Sequence, residues 1–352
     1  MSFCNFVVNS VGDANCIFIS NFPDSLMIDC GISNQTDYQN NKLIPIQIKN
    51  TRNLLISHYH SDHFKILNYL NNKELNISQL YYPYLPEIEY KTTLIKELLL
   101  ISYLQQAITI SKASDLISLI KQKNRKQFDY APLYAGNKIF NDSIDVIWPP
   151  KKLSPDKENI LNKKIKEIDD KIKSIPEISD LWTCFDRFDV DSENQFLKSD
   201  MNDSPGIINH NKALLEKYKN EIDDLDSKMK LIANSLSICL YKENEFLFLG
   251  DLGKDEVEDC LNSLKNKLKT DKIYVKYFIT PHHGTKTHYS ESVSAIDAEY
   301  VITSNGKKRM EDYVTDYNNL AKYHHYTYEN GDFEKNTCRY MINEWLYTHD
   351  FF

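Results

Sequence analysis

The segment LLISHYHSDHF, Leu54 to Phe64, constrains this chain more than any other. An apolar run of strand character ends there, and three histidines and an aspartate follow within six positions. A histidine-rich loop with no role would leave four costly polar side chains at a strand end without a partner. His58 and His60 stand two apart, and alternate residues of an extended chain point the same way. Both imidazoles can therefore reach one cation. Asp62 and His63 come where the chain turns, and can aim at a second. Imidazole with carboxylate suits zinc, manganese or iron.

The rest of the chain predicts the frame around that segment. FVVNS, CIFIS and SLMIDCG read as short strands separated by the turn-prone stretches VGDAN and NFPD. From Asp62 to Asn71 the pattern is helical, with Phe64, Leu67 and Leu70 on one face. LYYPY and IDVIWPP are strands, the second stopped by its prolines, and Lys91 to Lys123 predicts two helices. From Lys151 to about Lys230 the strands give way to long charged helices, with Ser154-Pro155-Asp156 as a start signal. The stretch DLWTCFDRFDVDSENQF between those helices reads as irregular. Residues 151–230 are thus expected to be a helical insertion within one domain spanning 1–352. Strands then resume with LSICLY, EFLFLG, YVKYFITP and YVITSN, and a helix lies between Lys254 and Lys267.

Two later strands end in ligand-type residues. EFLFLG runs into Gly250-Asp251, and a carboxylate there can bridge two ions about 3.5–4 Å apart. Taken alone, a Gly-Asp pair after a strand is an ordinary turn. YFITPHHGTKTH repeats the pattern with His282 and His283. Adjacent residues point differently, so one of the pair is expected to bind metal. His283 is favoured, leaving His282 to contact substrate or to protonate a leaving group. Asn234 and Ser235, before a strand, and Lys286 and His288, in the loop after Gly284, are candidate substrate contacts. A strand-entry turn and a solvated loop are their ordinary alternatives.

Formal charge is −8, with 42 basic and 50 acidic residues, which weighs against a protein that coats DNA without regard to sequence. Metal ions supply positive charge locally, so a nuclease remains compatible. The seven cysteines are scattered without a C-x-x-C pair, as suits reduced structural thiols. With no apolar run long enough to span a bilayer and no leader, a cytoplasmic location and no membrane partner are expected.

Together these residues resemble the metallo-β-lactamase superfamily. The resemblance implies an αββα sandwich with one or two metals at the edge between two sheets. Asp29 in SLMIDCG matches the first motif aspartate, which supports the site without binding metal. HYHSDH matches the second motif, Asp251 the fourth, and one of His282 and His283 the fifth. Within the superfamily, the chain is most similar to the metallo-β-lactamase domain of bacterial competence proteins, the DNA-uptake channel family, and its standalone relatives. The matching features are Val11-Gly12-Asp13-Ala14-Asn15, Asn234-Ser235-Leu236-Ser237, His282-His283-Gly284 and Glu329-Asn330-Gly331. Ala14 replaces the usual second glycine. No histidine matches the third motif, the only one between His63 and Asp251 being His210, which reads as surface.

These observations predict a hydrolase using two divalent ions, zinc or manganese. His58, His60 and Asp251 would hold the first ion, and Asp62, His63 and His283 the second. No protein nucleophile is required, in keeping with the lack of a G-x-S-x-G elbow. The resemblance favours a phosphodiester, such as single-stranded nucleic acid or a nucleotide. A carboxylic ester, lactone or thioester is the alternative. A third reading is a module docked to a protein partner through its charged helices, since standalone relatives occur beside partner genes in bacterial antiviral defence loci.

Overall fold

The structure, a computed structural model, describes residues 3–21, 23–104, 116–185, 190–191, 196–197 and 216–336. Strands β1 (Asn5–Val8), β2 (Ile17–Asn21) and β3 (Asp24–Ile28) form an antiparallel meander. Helices α1 (Gln35–Asn40) and α2 (Leu43–Asn50) cross over to β4 (Asn53–Leu55), which runs parallel to β3. The sheet grows through β5 (Gln79–Pro83), α3 (Lys91–Leu104), α4 (Leu116–Lys123) and β6 (Asp129–Leu133). A hairpin of β7 (Lys138–Ile139) and β8 (Ile144–Trp148) opens the second sheet.

Helices α5 (Pro155–Lys173), α6 (Pro176–Phe185) and α7 (Lys219–Ser235) follow, with a ribbon of β9 (Val190–Asp191) and β10 (Phe196–Leu197) that joins neither large sheet. The second sheet resumes with β11 (Cys239–Lys242) and β12 (Phe246–Phe248). Helix α8 (Lys254–Leu268) leads to β13 (Ile273–Ile279), then come β14 (Ile296–Thr303) and β15 (Ala321–Tyr326). Strand β16 (Phe333–Asn336) returns to pair with β1. Among the described residues each large sheet has seven strands, in the orders β16-β1-β2-β3-β4-β5-β6 and β15-β14-β13-β12-β11-β8-β7.

The strand alternation fixes the layers. Phe6, Val8, Ile17, Ile19, Leu26 and Ile28 face the second sheet, where they meet Val146, Leu240, Phe248, Tyr277 and Ile279. The opposite faces of the same strands, through Val7, Phe18 and Met27, pack beneath Ile44 and Ile48 of α2 and Ile120 of α4. Val257, Leu261 and Leu264 of α8 cover the outer face of the second sheet. The result is the αββα sandwich expected from the sequence. A further core lies among the helices, where Leu94 of α3, Ile165, Ile168 and Ile172 of α5, Trp182 of α6 and Leu225 of α7 bury one another. No described helix is long and apolar enough to cross a membrane.

Two expectations need correction. Residues after Asp62 do not form an α-helix but two short 3₁₀ turns, Ser61–His63 and Lys65–Asn68. The backbone there bonds sideways instead: Cys30 N–H donates to His63 O at 2.7 Å and Ile66 N–H to Cys30 O at 3.0 Å. The stretch beginning DLWTCF is not irregular at its start, because Asp180 to Phe185 completes α6, with Ile178 and Trp182 one turn apart on its buried face. His210, Trp345 and Cys338 lie outside the described residues.

Candidate metal centre

Parallel strands place their carboxyl ends on one rim, where open α/β sheets carry their sites. Strands β3 and β4 deliver Asp29 and the His58–His63 segment from the first sheet. Strands β12, β13 and β14 deliver Asp251, the His282-His283 pair and Ser304 from the second. The HYHSDH loop lies tightly against the turn after β3. A Cβ on Gly31 would fall 1.5 Å from the Asp62 carbonyl oxygen, so only glycine fits there.

Asp251 is the hub. Its Oδ2 lies 3.5 Å from His63 Nε2 and 3.9 Å from Nε2 of each of His58, His282 and His283. These spacings are longer than hydrogen bonds. Two ligands each about 2.1 Å from a tetrahedral ion sit roughly 3.4 Å apart, so the spacing is close to that of donors sharing a cation. Two sets have ligand atoms within 4.8 Å of one another: His58, His63 and Asp251, and Asp62, His63 and His283. His60 Nδ1 approaches His58 Nε2 at 2.9 Å. Among the described residues, Nε2 of His63 and His283 and Oδ1 of Asp251 are buried without a hydrogen-bond partner. Unsatisfied buried donors and acceptors of this kind are what a bound cation would satisfy.

The outer nitrogens of the same rings are held in place. Asp29 Oδ2 lies 2.7 Å from His63 Nδ1, and accepts from the Ser57 hydroxyl at 2.7 Å, while Asp29 Oδ1 accepts from Ser57 N–H at 2.6 Å. His283 Nδ1 donates to the Ser304 carbonyl at 2.6 Å, which leaves Nε2 as the lone-pair nitrogen facing Asp251. The Ser57 hydroxyl also lies 3.1 Å from His58 Nδ1, and Thr285 Oγ1 lies 2.8 Å from His282 Nδ1. Ser57, Thr285, Ser304 and Gly31 were not singled out from the sequence. Each immediately follows or closely flanks a strand end, the one signal that points to them.

Electrostatics favour ligation. Burial lowers the His58 imidazole well below its ordinary range, His60 to about 4 and His282 to about 3, so these rings are neutral at physiological pH. Burial opposes charge on His63 as well, but the Asp29 and Asp251 carboxylates outweigh it and raise its proton affinity. A cation competing for that lone pair gains from the same two carboxylates. Burial would also raise Asp62 and Asp251, yet the nearby His63 imidazole, whose own proton affinity is raised, holds both carboxyls below the ordinary range.

Nε2 of His282 and Nε2 of His283 lie equally far from Asp251 Oδ2, at 3.9 Å. Both residues adopt left-handed backbone conformations, with φ of 44° and 60°, which brings neighbouring side chains toward one point. Only His283 also comes within ligand range of Asp62 and His63. His288 stacks on His282, with centroids 3.5 Å apart. Lys286 is exposed. Among the described residues, Asn234 and Ser235 make no hydrogen bond to the cluster; Ser235 Oγ donates to the Ile232 carbonyl at 2.8 Å, and Asn234 Oδ1 is buried without a partner.

Comparison with known proteins gives no matching family model and no match among curated sequences. Among solved structures, the metallo-beta-lactamase fold protein YhfI from Bacillus subtilis is 7% identical, covering 94% of this chain and 100% of its own, with a TM-score of 0.36. A metallo hydrolase from the archaeon Ignicoccus hospitalis is 10% identical over 94% of this chain and 98% of its own, at 0.38. A candidate metallo-beta-lactamase from Thermotoga maritima is 19% identical over 40% of this chain, at 0.26, and the match spans 58% of that protein. At such scores, the assignment of architecture rests on the strand orders and layers of the chain itself.

Proposed function

We propose that this chain is a metal-dependent hydrolase of the metallo-β-lactamase type, acting on a phosphodiester. The observation that supports it most is the convergence of four imidazole Nε2 atoms on one Asp251 oxygen, with Asp62 as a second carboxylate beside His63 and His283. His58, His60 and Asp251 would hold one divalent ion, and Asp62, His63 and His283 the other, zinc and manganese being the candidates. Such ions, when bound, lower the pKa of water and polarise the scissile group.

The chain's own contribution is orientation. Asp29 fixes the His63 ring and the Ser304 carbonyl fixes His283, so neither ligand must reorganise to bind. His282, held neutral by burial, suits ligation or hydrogen-bond acceptance better than proton donation. The helical region, residues 151–230 together with α3, would shape access. Tyr59, between the first two histidines, packs against the helical core and donates to the Pro83 carbonyl at 3.2 Å. A protein or nucleic-acid partner bound to those helices would thereby press on the ligand loop.

The test is hydrolysis of bis-p-nitrophenyl phosphate, then of single-stranded DNA and RNA, with manganese or zinc, alongside lactone and thioester panels. Phosphodiester turnover that disappears in a folded Asp62→Ala variant is expected. Turnover confined to the carbonyl substrates would replace the phosphodiester reading with the ester one.

A further inference from the structure

The four imidazoles converge on Asp251, so whatever fixes the backbone of Asp251 fixes the centre. Asp251 follows a left-handed turn at the end of β12. Gly250 has φ +55°, and a Cβ there would fall 2.8 Å from Ser237 Cβ and 3.1 Å from the Ile238 carbonyl oxygen, so glycine is required. Two hydrogen bonds from outside hold the turn. Gly250 O accepts from His282 N–H at 3.1 Å, and Ser237 Oγ accepts from Asp251 N–H at 3.3 Å. Among the described residues no other acceptor takes that N–H. Ser237 is 0% exposed and Asp251 2%, so bulk solvent cannot simply replace the hydroxyl. A buried N–H left without an acceptor is costly, and the turn would move to find one.

Ser237 lies on the short crossing from the helical region to the second sheet. Helix α7 ends at Ser235, where the Trp148 indole donates to the Ser235 carbonyl at 2.8 Å. The chain then turns through Leu236 and Ser237, whose N–H groups donate to Ala233 O at 3.2 Å and Asn234 O at 3.0 Å. Ile238 N–H donates to Ser57 O at 2.8 Å. Ser57 is the residue that bonds Asp29 and precedes His58. Cys239 Sγ donates to the Leu249 carbonyl at 3.1 Å. Three consecutive residues, Ser237 to Cys239, therefore touch both the turn that carries Asp251 and the strand end that carries His58.

We propose that Ser237 is a positioning residue, whose hydroxyl, held at the end of α7, aims the Asp251 carboxylate at the four imidazoles. Asp251 Oδ1 has no hydrogen-bond partner among the described residues, and Oδ2 lies 3.5 to 3.9 Å from the rings, so no short bond of its own steers the carboxylate. Its direction is left to the backbone, which Gly250 bends and Ser237 anchors. The role rests on the metal-hydrolase reading for its catalytic meaning, but the direction of the carboxylate can be observed without metal.

The test compares full-length wild type, Ser237→Ala and Ser237→Thr. Zinc affinity is measured by competition against a chelating dye, thermal unfolding on the metal-free proteins, and the position of Asp251 in crystals of metal-free wild type and Ser237→Ala. Affinity is expected to fall about tenfold or more in Ser237→Ala, as for other groups that orient a ligand. Ser237→Thr, which keeps the acceptor, should recover most of it. In the Ser237→Ala crystal, Asp251 Oδ2 should leave its place among the rings. Equal affinity in wild type and Ser237→Ala overturns the proposal, even if the variant melts lower, because a merely structural serine would do that. A loss in folded Ser237→Thr as large as in Ser237→Ala, or a carboxylate that does not move, also overturns it. If the wild type takes up no metal yet the carboxylate moves in Ser237→Ala, the positioning role stands and the metal-hydrolase reading fails.

Discussion

At the rim of the sandwich, Asp29 is fully enclosed and yet has a partner on each carboxyl oxygen, from the Ser57 backbone, the Ser57 hydroxyl and His63. In the helical core, Glu97 of α3 is equally enclosed, and among the described residues neither of its carboxyl oxygens has a hydrogen-bond partner. Burial pushes Glu97 up to about 9, with Asp169 of α5 adding to the effect and Lys173 opposing it, so the folded chain keeps it neutral. The first acid is held by a network that also sets the direction of a ligand ring. The second is a tolerated polar group in a core built from Ile, Leu and Trp. Burial alone therefore does not mark a functional acid in this molecule. What distinguishes Asp29 is that its carboxylate orients the His63 ring.

That contrast can be broken first at Asp29. Replacing it with Asn keeps the shape but loses the carboxylate that steadies His63. Metal affinity is expected to fall about 10–100-fold, as for other partners that orient a ligating histidine, while thermal unfolding changes little. Competition against a chelating dye measures it, and unchanged affinity would reduce Asp29 to a packing residue.

The smaller effect lies in the helices. Glu97→Gln removes the ionisable group and leaves its volume. Below the ordinary glutamate value of 4.5 the acid is protonated in both folded and unfolded chains. As pH rises, the unfolded chain releases the proton while the folded chain retains it up to about 9, so this group lowers stability progressively across that window. The Gln variant should melt a few degrees above the wild type at pH 8, with the gap closing toward pH 4. Melting curves at the two pH values check it. A constant gap would mean that Glu97 is not the titrating group.

The sequence carried the rim further than the helices. Donor side chains after an apolar strand are hard to explain without a cation, so His58, His60, Asp62 and His63 could be read directly, and the same logic reached Asp251 and His283. The groups that orient them could not be read, because Ser57, Thr285 and Ser304 are common residues whose roles arise only when strands far apart in sequence share a rim. The left-handed turn at His282 and His283, which leaves both rings 3.9 Å from Asp251 Oδ2, has no signal in the sequence. At the opening turn, Gly12 takes the left-handed conformation, with φ of 75°. Ala14 is fully buried and its carbonyl accepts from Ser304 Oγ at 2.7 Å, so the missing second glycine is accommodated. In the helical region, residues 151–230 are proposed as an insertion, and the buried faces of α5 and α7 follow the helical spacing that predicted them.

The most direct test of the metal centre is elemental analysis of the purified protein after equilibration with zinc or manganese and removal of free ion, with Asp251→Ala prepared in parallel. The account predicts up to two ions per wild-type chain. It also predicts a marked loss in the variant, since Asp251 Oδ2 is the point on which the four imidazoles converge. A wild-type chain that takes up no metal, or a folded Asp251→Ala chain that retains the full complement, would contradict it.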